Sequence, residues 1–259
     1  MENYSVRVEN LTKVYPMIKK KGIIPFLKSN KTQFLALDDI SFTANHGDTV
    51  GVVGINGAGK STLMLVLAGL LEPTVGSVTI DGESSLLAVG AGIDGFLTGR
   101  ENIRYKCMLM GFDKKQTAEI EEEAIRFAEV GAFIDQPMRT WSSGMRARIG
   151  FAVAVFTNPD VLIIDEALSV GDATFSHKCL DKIHEIRDRG KTIFLVSHSM
   201  SLIRQFCDKT IWLHNGRLQE YGEASEVCEH YKVFVEDVTS LEAEQKARIF
   251  SKWEKKRTR

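Results

Sequence analysis

Cysteine is sparse and scattered. Cys107, Cys179, Cys207 and Cys228 form no Cys-x-x-Cys pair and have no histidine cluster nearby. That spacing argues against structural zinc and reads as free thiols in a reducing compartment. Long apolar runs are missing as well. Nothing approaches the ~18 apolar residues of a spanning helix, and the opening "MENYSVRVEN" has no apolar signal region. Charge of one sign is absent: 33 Lys and Arg face 34 Asp and Glu, a formal net charge of -1. No global field therefore draws the chain to nucleic acid or to a membrane surface, and no nucleic-acid partner is expected. There is no internal repeat, no low-complexity block and no long heptad run. The expectation is a cytoplasmic protein that meets a membrane only through a partner.

What is present is an ordinary core-forming composition. Of 259 residues, 44% are hydrophobic and 26% charged, enough for one large domain or two small ones. "SVRVENLTKVY" alternates as a strand does. A basic and apolar stretch, "PMIKKKGIIPFLKSNK", interrupts before strand character resumes in "FLALDDISFTANHGDTVGVVG". "ENIRYKCMLMGF" and "KKQTAEIEEEAIRFAEVGAF" have helical spacing, and predict a mainly helical subdomain over about residues 95–158 inside an α/β domain of residues 5–223. "VLIIDE" and "TIFLVSH" are short, fully apolar strands of the kind found in a parallel sheet covered on both faces. "TIWLHNGRLQEYG" carries Asn-Gly between strand-like runs, a hairpin signal. Residues 224–259 read as a short helical, basic tail. Its terminal charge run reads as a solvated end. The basic insertion, near 17–34, reads as facing anionic headgroups or a partner helix.

The chemistry begins at "GINGAGKST". Gly54, Ile55, Asn56, Gly57, Ala58, Gly59, Lys60, Ser61 and Thr62 fill G-x-x-x-x-G-K-[ST] between a strand and a helix. Glycines let the backbone wrap closely around phosphates, Lys60 reaches the β- and γ-phosphates, and Ser61 holds Mg²⁺. In "VLIIDE", Asp165 ends a buried strand and is a second candidate for Mg²⁺. Glu166 beside it is suited to polarise an attacking water as general base. His198 lies just past another buried strand, where active groups of open α/β sheets gather.

A second anion cradle lies downstream. "TWSSGMRARIGFA" places Ser142, Ser143, Gly144 and Met145 at a helix start. One phosphate loop holds one triphosphate completely. A second cradle makes sense if it serves a nucleotide bound to another copy in a two-fold dimer.

The ordered set of phosphate loop, helical insertion, "SSGM", "VLIIDEAL", "SVGD" and His198 resembles the ATPase subunit of an ABC transporter from about Val6 to Gly222. The resemblance implies a P-loop NTPase core with a parallel sheet, an antiparallel β portion and an inserted helical subdomain. It implies ATP and Mg²⁺ as ligands, Ser142 to Met145 as the loop contacting the partner's γ-phosphate, Asp172 as an inter-subunit residue, and Tyr15 as the aromatic that stacks on adenine. It also implies a second copy of the chain and a polytopic membrane permease as partners, with the ATPase peripheral on the cytoplasmic face.

Three departures narrow the branch. The signature is Ser-Ser-Gly-Met rather than Ser-Gly-Gly-Gln. The loop near Val89 to Gly92 lacks the usual metal-facing glutamine. The insertion follows Tyr15. Together with "LTGRENI", "SSGMRARIGFA" and "DEALSVGDATFSHKCLDKI", these resemble exporters of lipid-linked polysaccharides, and within them the wall teichoic acid exporters. The residues after Gly222 are too few for the appended glycan-binding β-sandwich of some O-antigen exporters, which needs about 100. A capsule or O-antigen exporter remains an alternative. So does a soluble ABC ATPase acting on DNA or ribosomes, although such chains usually carry two cassettes or long coiled coils.

Overall fold

The structure is a computed structural model that describes residues 4–18, 31–87, 94–165, 173–240 and 257–258. Glu166, Asp172, the loop near Val89 to Gly92, insertion residues 19–30 and tail residues 241–256 lie outside the described residues.

Two sheets form the frame. In the first, β1 (Tyr4–Ile18) pairs antiparallel with β2 (Lys31–Asn45) on one side and β4 (Val75–Ile80) on the other. The second has six strands: β5 (Ser84–Leu87), β6 (Val161–Asp165), β7 (Thr192–Val196), β3 (Thr49–Val53), β8 (Lys209–His214) and β9 (Arg217–Glu223), in that spatial order. All its pairings are parallel except β8 with β9. That pair is the Asn-Gly hairpin. Asn215 and Gly216 take φ of 56° and 78°, as a turn matching the strand twist requires.

The five residues of β3 and of β7 are buried throughout, because helices and the small sheet cover both faces. Their side chains alternate between two cores. Val161, Ile163, Phe194 and Val196 pack with Leu63, Met64 and Leu67 of α1 (Lys60–Leu67) and with Val6, Leu37 and Ile40 of the small sheet. Leu162, Ile164, Ile193 and Leu195 point the other way, into a core shared with the helical layer.

That layer contains α2 (Gly99–Leu109), α3 (Lys114–Ala128) and α4 (Ser143–Phe156). α2 and α3 each open with a capping box, Thr98 with Glu101 and Asp113 with Gln116, which satisfies two orphan backbone donors per helix. Between α2 and α3, Glu121 accepts from Arg100 at 2.6 Å and from Arg104 at 2.5 Å, and Arg100 also binds Asp135 at 2.7 Å. Burial alone would raise the Glu121 pKa. The two guanidinium groups outweigh it and hold the carboxyl below its usual range. α5 (Ala173–Asp188), α6 (Met200–Phe206) and α7 (Ala224–Ser240) complete the chain's described helices. Among the described residues, no helix is long and apolar enough to cross a membrane.

Candidate functional site

The parallel order brings three strand ends side by side. β6, β7 and β3 are neighbours, and Asp165 pairs with Val196 at the end of the register. Past β3 begins the glycine loop, Gly54 to Gly59. Past β7 comes His198, and β6 itself ends in Asp165. Residues more than 140 apart in sequence thus meet at one mouth, at the carboxyl ends of the strands.

The phosphate loop is built to leave donors open. α1 starts at Lys60 with no side-chain cap and no acidic residue in its first turn. Its first N–H groups are therefore available to an anion, and the helix dipole favours one. Gly59 takes φ of 113°, and a Cβ there would lie 2.9 Å from Ala36 O and 2.8 Å from Leu37 Cδ2. Glycine is what lets α1 begin against β2. The loop's outward carbonyls are capped: Ala58 O accepts from Gly216 N at 2.9 Å. Lys60 is buried, 8% exposed, and its Nζ donates to Gly54 O at 2.8 Å and Ile55 O at 3.3 Å. An ammonium held across its own loop is positioned for an anion entering the cradle.

Asp165 is half-buried, with its Oδ1 atom buried. His198 is exposed and lines a cavity of about 300 Å³ with Val53, Gly54 and Ser197. The far wall of that cavity is α7, through Tyr231, Lys232, Val235 and Glu236. No sequence pattern singled out those four, because α7 reads as an amphipathic helix and nothing in its spacing points to the loop.

Tyr15 is placed elsewhere, on β1 of the small sheet, directly opposite Phe34 of β2. Lys13 Nζ sits 5.6 Å from the Tyr15 ring centroid. The small sheet and the phosphate loop share a core, Val6, Leu37 and Ile40 packing with Ala58 of the loop.

Ser142 and its neighbours are not brought to the loop within this chain. Ser142 caps α4, accepting from Met145 N at 3.2 Å, and Ser143 is the first helical residue. Behind them Trp141 is buried and donates to Gln136 O, while Arg146 donates to Trp141 O at 2.6 Å. Gly144 is half-buried, and a Cβ added there would make only an ordinary contact, 3.9 Å from Ser142 Oγ. α4 packs into the helical-layer core and α1 into the opposite one. The two helices thus lie against opposite faces of the six-stranded sheet.

The profile of the ABC transporter family matches residues 37–169, slightly more than half of the chain. This chain belongs to the ABC transporter family. Its relatives include the teichoic acids export ATP-binding protein TagH of Staphylococcus saprophyticus, 50% identical over 91% of this chain and 90% of that one. TagH of Staphylococcus haemolyticus is 48% identical over 94% of each. TagH of Bacillus anthracis is 46% identical over 94% of this chain, but the match spans only 45% of that longer protein. Among solved structures, a dimeric ATP-binding cassette in a post-hydrolysis state with ADP and Pi superposes at a TM-score of 0.70. It is 21% identical, covering 85% of this chain and 98% of that one. An ATP-binding subunit of another ABC transporter also reaches 0.70, with 24% identity over 88% and 93%. At that identity the likeness speaks to fold: the α/β ABC cassette with its inserted helices is the fold of this ABC chain.

Proposed function

We propose that this chain is the ATP-hydrolysing subunit of an exporter of lipid-linked teichoic acid. In this reading two copies work on the cytoplasmic face of the membrane with a separate, polytopic membrane subunit. The observation that carries the ATPase reading is the meeting of the open phosphate loop, Asp165 and His198 at three adjacent strand ends. The teichoic acid reading is supported by relatives of that printed name at 46–50% identity.

ATP would seat its phosphates on the N–H groups of Gly57 and of Gly59 to Thr62, Ala58 N being taken by Ile55 O, with Lys60 turned onto the β- and γ-phosphates and Tyr15 against adenine. The half-buried carboxylate of Asp165 at its strand end, with the Ser61 hydroxyl in the first turn of α1, is a hard-oxygen donor set that fits Mg²⁺. The ion would neutralise charge developing on the phosphates. Glu166 accepts a proton from the attacking water, and His198 holds the γ-phosphate side of the site. Ser142 to Met145 of a second copy close over the same triphosphate, and Asp172 lies between the two copies. ATP is then part of the interface, and its hydrolysis loosens it.

Two variants test this by light scattering on size-separated protein. Glu166→Gln is expected to accumulate an ATP-bound dimer with little hydrolysis. Ser143→Arg is expected to bind ATP normally and stay monomeric. A Ser143→Arg protein that dimerises on ATP like the wild type would refute the signature assignment. Depleting the protein in its host, then analysing lipid-linked glycans, tests the substrate. A polyol-phosphate polymer is expected to accumulate inside. A phosphate-free polysaccharide would move the substrate to a capsule or O-antigen, and no accumulation would count against export.

A further inference from the structure

The phosphate loop has a partner from the far end of the sequence. Arg257, read as part of a solvated basic tail, is 7% exposed. Its guanidinium donates from Nε to Leu35 O at 2.7 Å and from Nη2 to Ala36 O at 2.7 Å. From Nη1 it donates to Gly57 O of the phosphate loop, 200 residues away. It also stacks on Phe34, with Cζ 4.5 Å from the ring centroid. The next residue, Thr258, forms an antiparallel bridge to Phe34.

Three features give this contact a meaning. First, it joins the two halves of the nucleotide site. Leu35 and Ala36 belong to β2, whose Phe34 stands opposite Tyr15, and Gly57 belongs to the loop. One planar fork therefore fixes the distance between the aromatic end and the phosphate end. Second, it uses the correct side of the loop. Gly57 O and Ala58 O are consecutive outward carbonyls, taken by Arg257 and by Gly216 N respectively. On the N–H side, Ala58 N donates within the loop to Ile55 O at 3.0 Å, and the amides of Gly57 and of Gly59 to Thr62 face the phosphate in this reading. Third, among the described residues every hydrogen bond of Arg257 goes to a neutral carbonyl. A buried cation held on carbonyls carries a desolvation cost, and a polyanion seated beside it relieves that cost.

We propose that Arg257 is a positioning residue for nucleotide: it holds the β1–β2 hairpin that carries Tyr15 in register with the phosphate loop and adds positive charge behind the cradle. The inference rests on the ATP reading above. It goes beyond it by assigning a role to a residue outside every motif of the cassette.

The test uses the full chain as wild type, Arg257→Lys and Arg257→Ala, with calorimetric titration of MgATP and of inorganic tripolyphosphate, and with steady-state hydrolysis. Lysine keeps the charge and loses the three-way fork. Arg257→Lys should weaken ATP binding about five- to tenfold, while tripolyphosphate binding stays within about twofold, since only ATP uses the hairpin. Arg257→Ala should weaken both. The loss should fall on KM rather than kcat. Three results would overturn the proposal. Both variants could bind ATP like the wild type. ATP and tripolyphosphate could weaken by one common factor in Arg257→Lys alongside a lowered Tm, which is general destabilisation. Either variant could bind ATP more tightly, which would make Arg257 an occupant of the nucleotide's space. A wild-type chain that binds neither ligand fails the ATP reading itself, and the role of Arg257 falls with it.

Discussion

Gly57 and Gly59 offer a paired experiment in which one physical term is isolated. Both residues hold positive φ, 78° and 113°, so alanine is strained at either. At Gly57 a Cβ meets nothing within 4 Å. Gly57→Ala should therefore cost only the left-handed backbone penalty, about 1–2 kcal/mol. At Gly59 the same Cβ falls 2.9 Å from Ala36 O and 2.8 Å from Leu37 Cδ2. The leucine terminus can swing aside, but the carbonyl belongs to the β2 backbone. A strained φ of about 1–3 kcal/mol is then joined by an overpacking cost of about 1–3 kcal/mol. At roughly 2–4 °C per kcal/mol for a domain of this size, Gly57→Ala should lower the Tm by roughly 2–8 °C and Gly59→Ala by clearly more. Scanning calorimetry without nucleotide reads this difference directly. A second readout follows from the same clash. Relief requires α1 to back away from β2, which moves the first-turn N–H groups, so Gly59→Ala should also lose MgATP affinity at least tenfold more than Gly57→Ala. Equal Tm losses for the two would refute the reasoning, because the contact with Ala36 is the difference between the sites.

The Glu121 cluster carries a pH prediction. A carboxyl whose folded pKa is depressed stabilises above its unfolded pKa, near the ordinary glutamate value of 4.5, and loses that contribution as pH falls through the folded value. Glu121→Gln should cost about 1–2 kcal/mol at pH 7, less than a fully buried pair because the Arg100 and Arg104 side chains are 32% and 58% exposed. Urea denaturation should show the gap closing below about pH 4.5, and a gap that persists there would exclude the charge as its cause. The thiols carry the other. Cys107, Cys179, Cys207 and Cys228 are all buried, and burial pushes each thiol upward, Cys179 to about 12. Iodoacetamide at pH 8 should label none of them in the native protein and all four in urea, and rapid native labelling of any would contradict the packing.

The elements read most easily from sequence are those whose reason is local. "VLIID" and "TIFLV" announce strands buried on both faces, and Asn215-Gly216 announces its turn, because each pattern follows from the backbone it must adopt. The phosphate loop is legible for the same cause: its glycines, lysine and hydroxyl all act within nine residues. β5 escapes notice. Its four residues, "SSLL", are half polar, and their strand state comes from pairing beside β6 rather than from propensity. The meeting of Asp165, His198 and Gly54 depends on the spatial order β6, β7, β3, which no window of sequence contains. Arg257 is the extreme case. Its neighbours in sequence are a run of charges, which nearly always means solvent, and its burial depends on carbonyls more than 200 residues back on β2.

The alternation along β6 and β7 bears on the question of two cradles. Val161 and Ile163 face the core that holds α1, and Leu162 and Ile164 face the core that holds α4. The sheet and a layer of side chains on each face therefore lie between the two helices. A triphosphate seated on the first turn of α1 is walled off from the first turn of α4 in its own chain. The Ser142 cap does not need the nucleotide to form, since its oxygen already accepts from Met145 N. What it leaves at the surface is a short edge of two exposed serines beside the half-buried Gly144. In the dimer proposed above, one two-fold rotation would supply each such edge with a phosphate and each phosphate loop with a lid.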